Sequence, residues 1–242
     1  MTLSDAKQPL QGEEVLSEFT SVRIGGVNPS LKHGKYVVIE GHDGTGKSTQ
    51  VGIVRHKLQQ LGIDSIEFHE PEGSPVADAI RTVIKNGELP RDGMTNLLLF
   101  SAARHDIWLR QALPALEQGK WVIASRNYYS TLAYQGYGEG LDLDIITQTT
   151  RIATDEHYMT PDIAIILDLD DDAERKKRIA NRGELEAPDT FESKGDDFQS
   201  KVKDAYLQIA STHTIPIVSA AQDIDTVASD IWDIIKTRAE KA

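Results

Sequence analysis

The chain has no cysteine, which excludes a disulfide framework and a thiolate-held zinc site and fits a reducing compartment. Long apolar runs are missing too. The first twenty residues, MTLSDAKQPLQGEEVLSEFT, contain no leader-type apolar segment, and no later run approaches membrane-spanning length. The chain is therefore read as cytoplasmic, with no membrane partner. Positive charge is scarce: 26 Lys+Arg stand against 38 Asp+Glu, for a net charge of −12. Such a balance repels phosphate polymers and argues against a nucleic-acid polymer as partner. Small phosphorylated molecules stay open, because they need only local positive groups. There is no internal repeat. What is present is ordinary for a globular protein: 242 residues, 39% hydrophobic and 26% charged, enough for one large domain or two small ones.

The most informative stretch is Tyr36 to Thr49, YVVIEGHDGTGKST. An apolar run ends in Glu40, and Gly41, His42, Asp43, Gly44, Thr45, Gly46, Lys47 and Ser48 fit G-x-x-x-x-G-K-[ST] at every fixed position. Glycines let successive N–H groups point inward, and the helix that follows presents its positive end to an anion. Lys47 is placed to reach β/γ-phosphates, and the Ser48 hydroxyl to ligate Mg²⁺. An ordinary Gly-rich turn would leave the Lys-Ser pair unexplained.

Around this loop, strands alternate with helices. A first strand is expected from near Lys35, then strands over 63–68, 121–124, 163–167 and 215–218. Helices are expected over 49–61, 76–85, 94–113, 130–135, 142–156, 171–181, 196–210 and 224–236. Gly136, Gly138 and Gly140 read as a turn. Residues 1–33 are polar and contain the breaker cluster Gly25-Gly26-Val27-Asn28-Pro29, so they read as an extension outside the main domain, 34–242. A polar, breaker-rich stretch over 183–195 reads as mobile. The expected architecture is α/β: a five-stranded parallel sheet with helices on both faces and the site at the strands' carboxyl ends. The acidic run Asp168, Asp170, Asp171, Asp172 reads as a strand end capping the next helix, with a metal site as the alternative.

Several ordered motifs, EGHDGTGKSTQ at 40–50, EPEGSP at 70–75, LLLFSAAR at 97–104 and LAYQG at 132–136, accompany a fifth-strand region at 215–226. Together they make the chain resemble the thymidylate kinase family of P-loop nucleoside-monophosphate kinases, from about Lys35 to the C-terminal helix. The resemblance implies transfer of the γ-phosphoryl of ATP to dTMP, giving dTDP, with Mg²⁺, and a homodimer acting on small-molecule nucleotides. It implies that Lys47 follows the moving phosphoryl and that the loop through Thr49 cradles the donor. Asp43 would orient the acceptor sugar hydroxyl; the alternative is an Asp capping its own turn. Phe100 would stack on the base, Arg104 donate to a thymine carbonyl, and Gln135 bond the pyrimidine edge, while Tyr134 and Tyr137 are treated as packing residues. Arg175, Arg178 and Arg182 form a basic stripe leading into a lid near 182–195, with Arg182 first and Arg178 second as the lid cation.

The chain departs from the family pattern in three places. His69 stands where an arginine grips the acceptor phosphate, and Glu72 where glycine is usual. Asp-Arg-Tyr at the end of the third strand appears as Ser125-Arg126-Asn127, and the lid Asp-Arg-Phe-Glu as Asp189-Thr190-Phe191-Glu192. Arg126 and Arg81 are left to hold the acceptor phosphate, and Glu40 and Glu70 are the nearest carboxylates for a Mg²⁺ shell through water. The departures keep open a same-fold kinase for another nucleoside monophosphate, or a degenerate nucleotide-binding relative. A GTPase-like switch is not supported, since neither a D-x-x-G after the P-loop nor an N-K-x-D is found.

Overall fold

In a computed structural model, residues 34–181 and 190–239 are described. The expected extension over 1–33, and Arg182 with most of the expected lid, lie outside them. Strand β1 (Tyr36–Gly41) leads through the Gly-rich loop into α1 (Lys47–Gln60), and β2 (Ser65–His69) into α2 (Pro75–Lys85). Helix α3 (Gly93–Ile107), a π-helical turn (Trp108–Ala112) and α4 (Leu113–Glu117) run on to β3 (Trp121–Ser125). After it come α5 (Tyr128–Thr131), a π-helical segment (Leu132–Gly138), α6 (Leu143–Ala153) and α7 (Glu156–Met159). The chain closes with β4 (Ile163–Asp168), α8 (Asp172–Ala180), α9 (Asp196–His213), β5 (Ile217–Ser219) and α10 (Ile224–Ala239). All strand pairs are parallel, in the order β2-β3-β1-β4-β5.

Period-two alternation explains the two cores. Val37 and Ile39 of β1, with Ile163 and Ile165 of β4, pack against Val51, Val54 and Leu58 of α1 and Ile231 and Ile235 of α10. Tyr36, Val38 and Ile166 face the other side, among Leu97, Ile107, Trp108, Tyr158 and Tyr206. Every residue of β1 is buried, so the sheet is covered on both faces as a parallel sheet requires.

Local chemistry sets the helix starts. Ser74 caps α2 by accepting from the Ala77 amide at 3.1 Å, with Pro75 at the first helical position. Asp171 caps α8 through the Ala173 and Glu174 amides at 2.9 and 3.0 Å, and Asp172 pairs with Arg175. The acidic run is therefore a capping device, and no metal-holding group of three acidic or His residues occurs among the described residues.

Two expectations change. The long helix does not stop at 113: it continues to Glu117 through the π turn. The glycines after 135 are not all in a turn, because Gly136 and Gly138 lie within the π segment. A Cβ at Gly136 would come 2.4 Å from a Leu143 methyl, and one at Gly138 would come 2.6 Å from the Phe198 ring. These residues are small because α6 and α9 press on the segment.

Candidate active site

Edges of β1, β2 and β3 converge on a cavity of about 460 Å³. Its lining includes Asp43 and Gly46 to Thr49 from the loop, His69 to Glu72, Arg81 and Lys85, Phe100 and Arg104, Ser125 to Asn127, and Gln135. The motifs that are distant in sequence thus meet in one place.

In the Gly-rich loop, Gly46 caps α1 in a left-handed conformation (φ 89°), which a side chain would strain. Lys47 is buried and donates to the Gly41 and His42 carbonyls, both at 2.8 Å. Ser48 and Thr49 are exposed to the cavity. Gly41, His42, Gly44 and Thr45 are buried and outside the lining; they shape the loop from behind. His42 donates from Nε2 to Gln199 Oε1 at 2.7 Å, and burial, helped by Arg175, pulls its pKa down to about 4. Gln199 in turn donates to the Phe191 carbonyl at 2.7 Å.

Asp43 does not cap its own turn. Its carboxylate is paired with Arg126 and accepts from the Tyr134 hydroxyl at 2.7 Å. Burial alone would raise its pKa, but Arg126, Lys47 and Tyr134 overcome that and hold it well below the usual carboxylate range. Tyr134 therefore belongs to the site and is not merely packing; a hydroxyl inside the LAYQG motif was the available signal. Arg126 sits at the end of β3 with φ 77°, a strained conformation for a side-chain-bearing residue. Its guanidinium also donates to Ser130 Oγ at 2.9 Å and Tyr206 Oη at 3.2 Å.

Glu40 holds this corner. It is fully buried and accepts from the amides of Gly41 (3.2 Å), Asn127 (2.7 Å) and Ser130 (3.1 Å), and from the hydroxyls of Ser130 (2.8 Å) and Tyr206 (3.1 Å). Its oxygens are committed inward, so the expected Mg²⁺ role is corrected to a structural one. Glu70 is committed as well: it pairs with Arg104 at 2.8 Å and accepts from the Tyr158 hydroxyl at 2.5 Å. Burial pushes the Glu70 carboxyl up against the pull of Arg104. Although Glu70 lines the cavity, what it does there is fix Arg104.

Arg104 donates to Thr131 Oγ1 at 2.9 Å, while its Nη1 is buried without a partner. Phe100 lies in the lining, 5.9 Å from the Phe191 ring. Gln135 is buried and donates to Glu139 at 3.1 Å. His69 faces Glu67 at 3.2 Å, and Arg81 pairs with Glu72 at 2.9 Å, so the departure at 72 brings a carboxylate to a basic group and the histidine at 69 sits against one already there. Lys85, not anticipated from sequence, also lines the cavity. Arg178 is not brought to it: its guanidinium bonds Glu174 at 3.0 Å and the Ala220 carbonyl at 3.1 Å. Arg175 of the same stripe is buried behind Gly44, where a Cβ would come 2.9 Å from its Cγ. Thr190, in place of the lid arginine, bonds the Ile84 carbonyl at 2.8 Å and accepts from Arg91 at 2.9 Å.

This arrangement suits an anion cradle beside an aromatic and amide-lined compartment, joined by an ionised Asp–Arg pair. The thymidylate kinase family profile matches residues 39–231. The thymidylate kinase of Rhodopseudomonas palustris strain TIE-1 is 33% identical over 216 residues, covering 88% of this chain and 92% of its own. That of Dehalococcoides mccartyi strain CBDB1 is 38% identical over 204 residues, covering 84% and 94%. The crystal structure of thymidylate kinase from Ehrlichia chaffeensis superposes with a TM-score of 0.66 at 26% identity, covering 84% of this chain and 99% of the other. With the Gly-rich loop, the Phe-Arg helix and the LAYQG segment assembled around one cavity, this chain belongs to the thymidylate kinase family.

Proposed function

We propose that the protein transfers the γ-phosphoryl of ATP to dTMP, giving dTDP, in a single catalytic domain over 34–242. The observation that carries the reading is that Lys47 and Ser48 share one cavity with Phe100, Arg104 and Gln135. Phosphoryl transfer asks mainly for positioning and charge stabilisation. In this reading the loop holds the donor phosphates, and the Lys47 ammonium swings from its carbonyl partners to the transferred group. Phe100 stacks on the thymine, the unpartnered Arg104 Nη1 donates to a ring carbonyl, and Gln135 meets the pyrimidine edge. Arg126, with Arg81, receives the acceptor phosphate, and the ionised Asp43 accepts a hydrogen bond from the sugar hydroxyl. Arg182 supplies lid charge.

A hard cation fits Ser48, whose exposed hydroxyl lies beside Lys47 in the lining. Among the described carboxylates nearby, Asp43 is taken by Arg126, Glu70 by Arg104, Glu72 by Arg81 and Glu40 by its own network of donors. Mg²⁺ would thus be held by Ser48 and the nucleotide's own phosphates, and when bound it supplies charge neutralisation. We further propose a cytoplasmic homodimer. No helix among the described residues is long and apolar enough to cross a membrane. Exposed Val76 and Val83 on α2, Leu98 on α3, and Ile145 and Ile152 on α6 give neighbouring helices an apolar face.

The test is ADP release with dTMP, dUMP, dGMP and dCMP as acceptors. The dTMP reaction should dominate; turnover of another acceptor alone would favour the second reading, a sister kinase, to which His69 and Ser125 point. The Lys47→Ala variant should lose at least about a hundredfold in turnover while still folding. Turnover by neither wild type nor variant would leave a nucleotide-binding relative.

A further inference from the structure

Among the described residues, buried side-chain atoms without a hydrogen-bond partner include Arg104 Nη1 and Asn127 Nδ2, and both residues line the cavity. The first has a place in the base-binding reading. Asn127 has none so far. Its side chain is fully buried, and its Oδ1 accepts from the Tyr129 amide at 2.9 Å. That bond fixes which end of the amide carries the hydrogens, since a backbone N–H must meet oxygen. Its own backbone N–H is held by Glu40 at 2.7 Å. The result is a rigid, preorganised N–H donor that native structures rarely leave unpaired.

The ligand group that would pair it follows from its neighbours. Asn127 directly succeeds Arg126, and β3 ends here beside β2, Ser125 being in register with His69. The basic groups at this end already face carboxylates: Arg126 faces Asp43, Arg81 faces Glu72, and His69 faces Glu67. An incoming phosphate therefore meets basic groups already paired with carboxylates and, buried against the cavity lining, one unpaired neutral donor.

We propose that Asn127 Nδ2 donates a hydrogen bond to a phosphate oxygen of the acceptor nucleotide, alongside Arg126. This rests on the dTMP-kinase reading and assigns Asn127 to binding the acceptor phosphate. The Asn127→Ser variant keeps a capping oxygen but cannot reach the phosphate. Asn127→Asp keeps the cap while replacing the donor with an anion. A bond from a neutral donor to a charged acceptor predicts that KM for dTMP rises roughly tenfold in Asn127→Ser, and further in Asn127→Asp. In both, kcat and the affinity for thymidine, which lacks the phosphate, should stay near wild type. An unchanged KM overturns the proposal, and so does an equal weakening of dTMP and thymidine, which would put the contact on base or sugar. Should the variants fail to fold, the wild-type protein with ¹⁵N-labelled Asn amides decides. One side-chain amide should shift on adding dTMP and stay in place with thymidine; no such shift overturns the assignment. Absence of dTMP turnover in wild type would sink the function itself. Normal wild-type turnover with unaffected variants would sink only the Asn127 role.

Discussion

At the residue scale, Arg126 combines a charge with a conformation that resists it. Its φ of 77° costs a side-chain-bearing residue on the order of 1 kcal/mol, a cost glycine does not carry. The Arg126→Gly variant removes that strain but also strips the buried Asp43 carboxylate of its cation, so it should be less stable than wild type as well as lacking the guanidinium. Its KM for dTMP should rise strongly, and free guanidinium ion in the assay should restore part of the activity; no recovery would mean that more than a cation was lost. His42 offers a titration at the same scale. Its folded pKa of about 4 lies below the ordinary value of 6.5, so between these values the unfolded chain binds the extra proton. Stability then falls as pH drops from 6.5 towards 4, by up to about 3 kcal/mol, and levels below that. Urea unfolding of wild type and His42→Asn between pH 7 and 4.5 should show a steeper loss of stability in the former, since His213, also held below its ordinary pKa by burial, titrates in both. Phe100, Arg104 and Gln135 were legible because each sits in a short motif that the chain shares with the family it resembles. Tyr134 and Glu40 were not: Tyr134 reaches Asp43 across 91 positions, and Tyr206 reaches Glu40 across 166. No local pattern encodes such a pairing.

At the element scale, the corner between β3 and α5 depends on a carboxylate contributed by β1. Removing the Glu40 acceptor leaves buried amides and hydroxyls unpaired, at roughly 1–3 kcal/mol each. Glu40→Ala should thus lower stability by about 3 kcal/mol or more and raise KM for dTMP through Arg126. The Mg²⁺ concentration giving half-maximal rate should stay as in wild type. A raised Mg²⁺ requirement would instead restore the metal-shell role that the sequence suggested. Most elements could be placed from periodicity, as with the apolar run of β4 and the helix expected over 76–85, which the structure begins one residue earlier. The π segment at 132–138 could not, because its glycines signal a turn in sequence. Only the packed structure shows that they make room for Leu143 and Phe198.

At the scale of the whole molecule, the parallel five-stranded order was readable from alternating strand and helix patterns, whereas assembly was not, since an apolar helix face looks in sequence like any other. Ile152 is 84% exposed on α6, near the other apolar residues of α2 and α3. Replacing it with Lys should shift wild-type dimers towards monomers in sedimentation velocity, and a monomeric wild type would end the dimer proposal. Within the sheet, β1 is the middle strand, buried throughout and bonded on both sides. Opening there needs the sheet to come apart, whereas the three-residue β5 sits at an edge. In hydrogen–deuterium exchange, the amides of Val37 to Glu40 should exchange only at the rate of global unfolding, and those of Ile217 to Ser219 much earlier. Because both the Gly-rich loop and the Glu40 clamp spring from that slowest-opening strand, partial melting at the sheet's edge should leave the catalytic centre assembled.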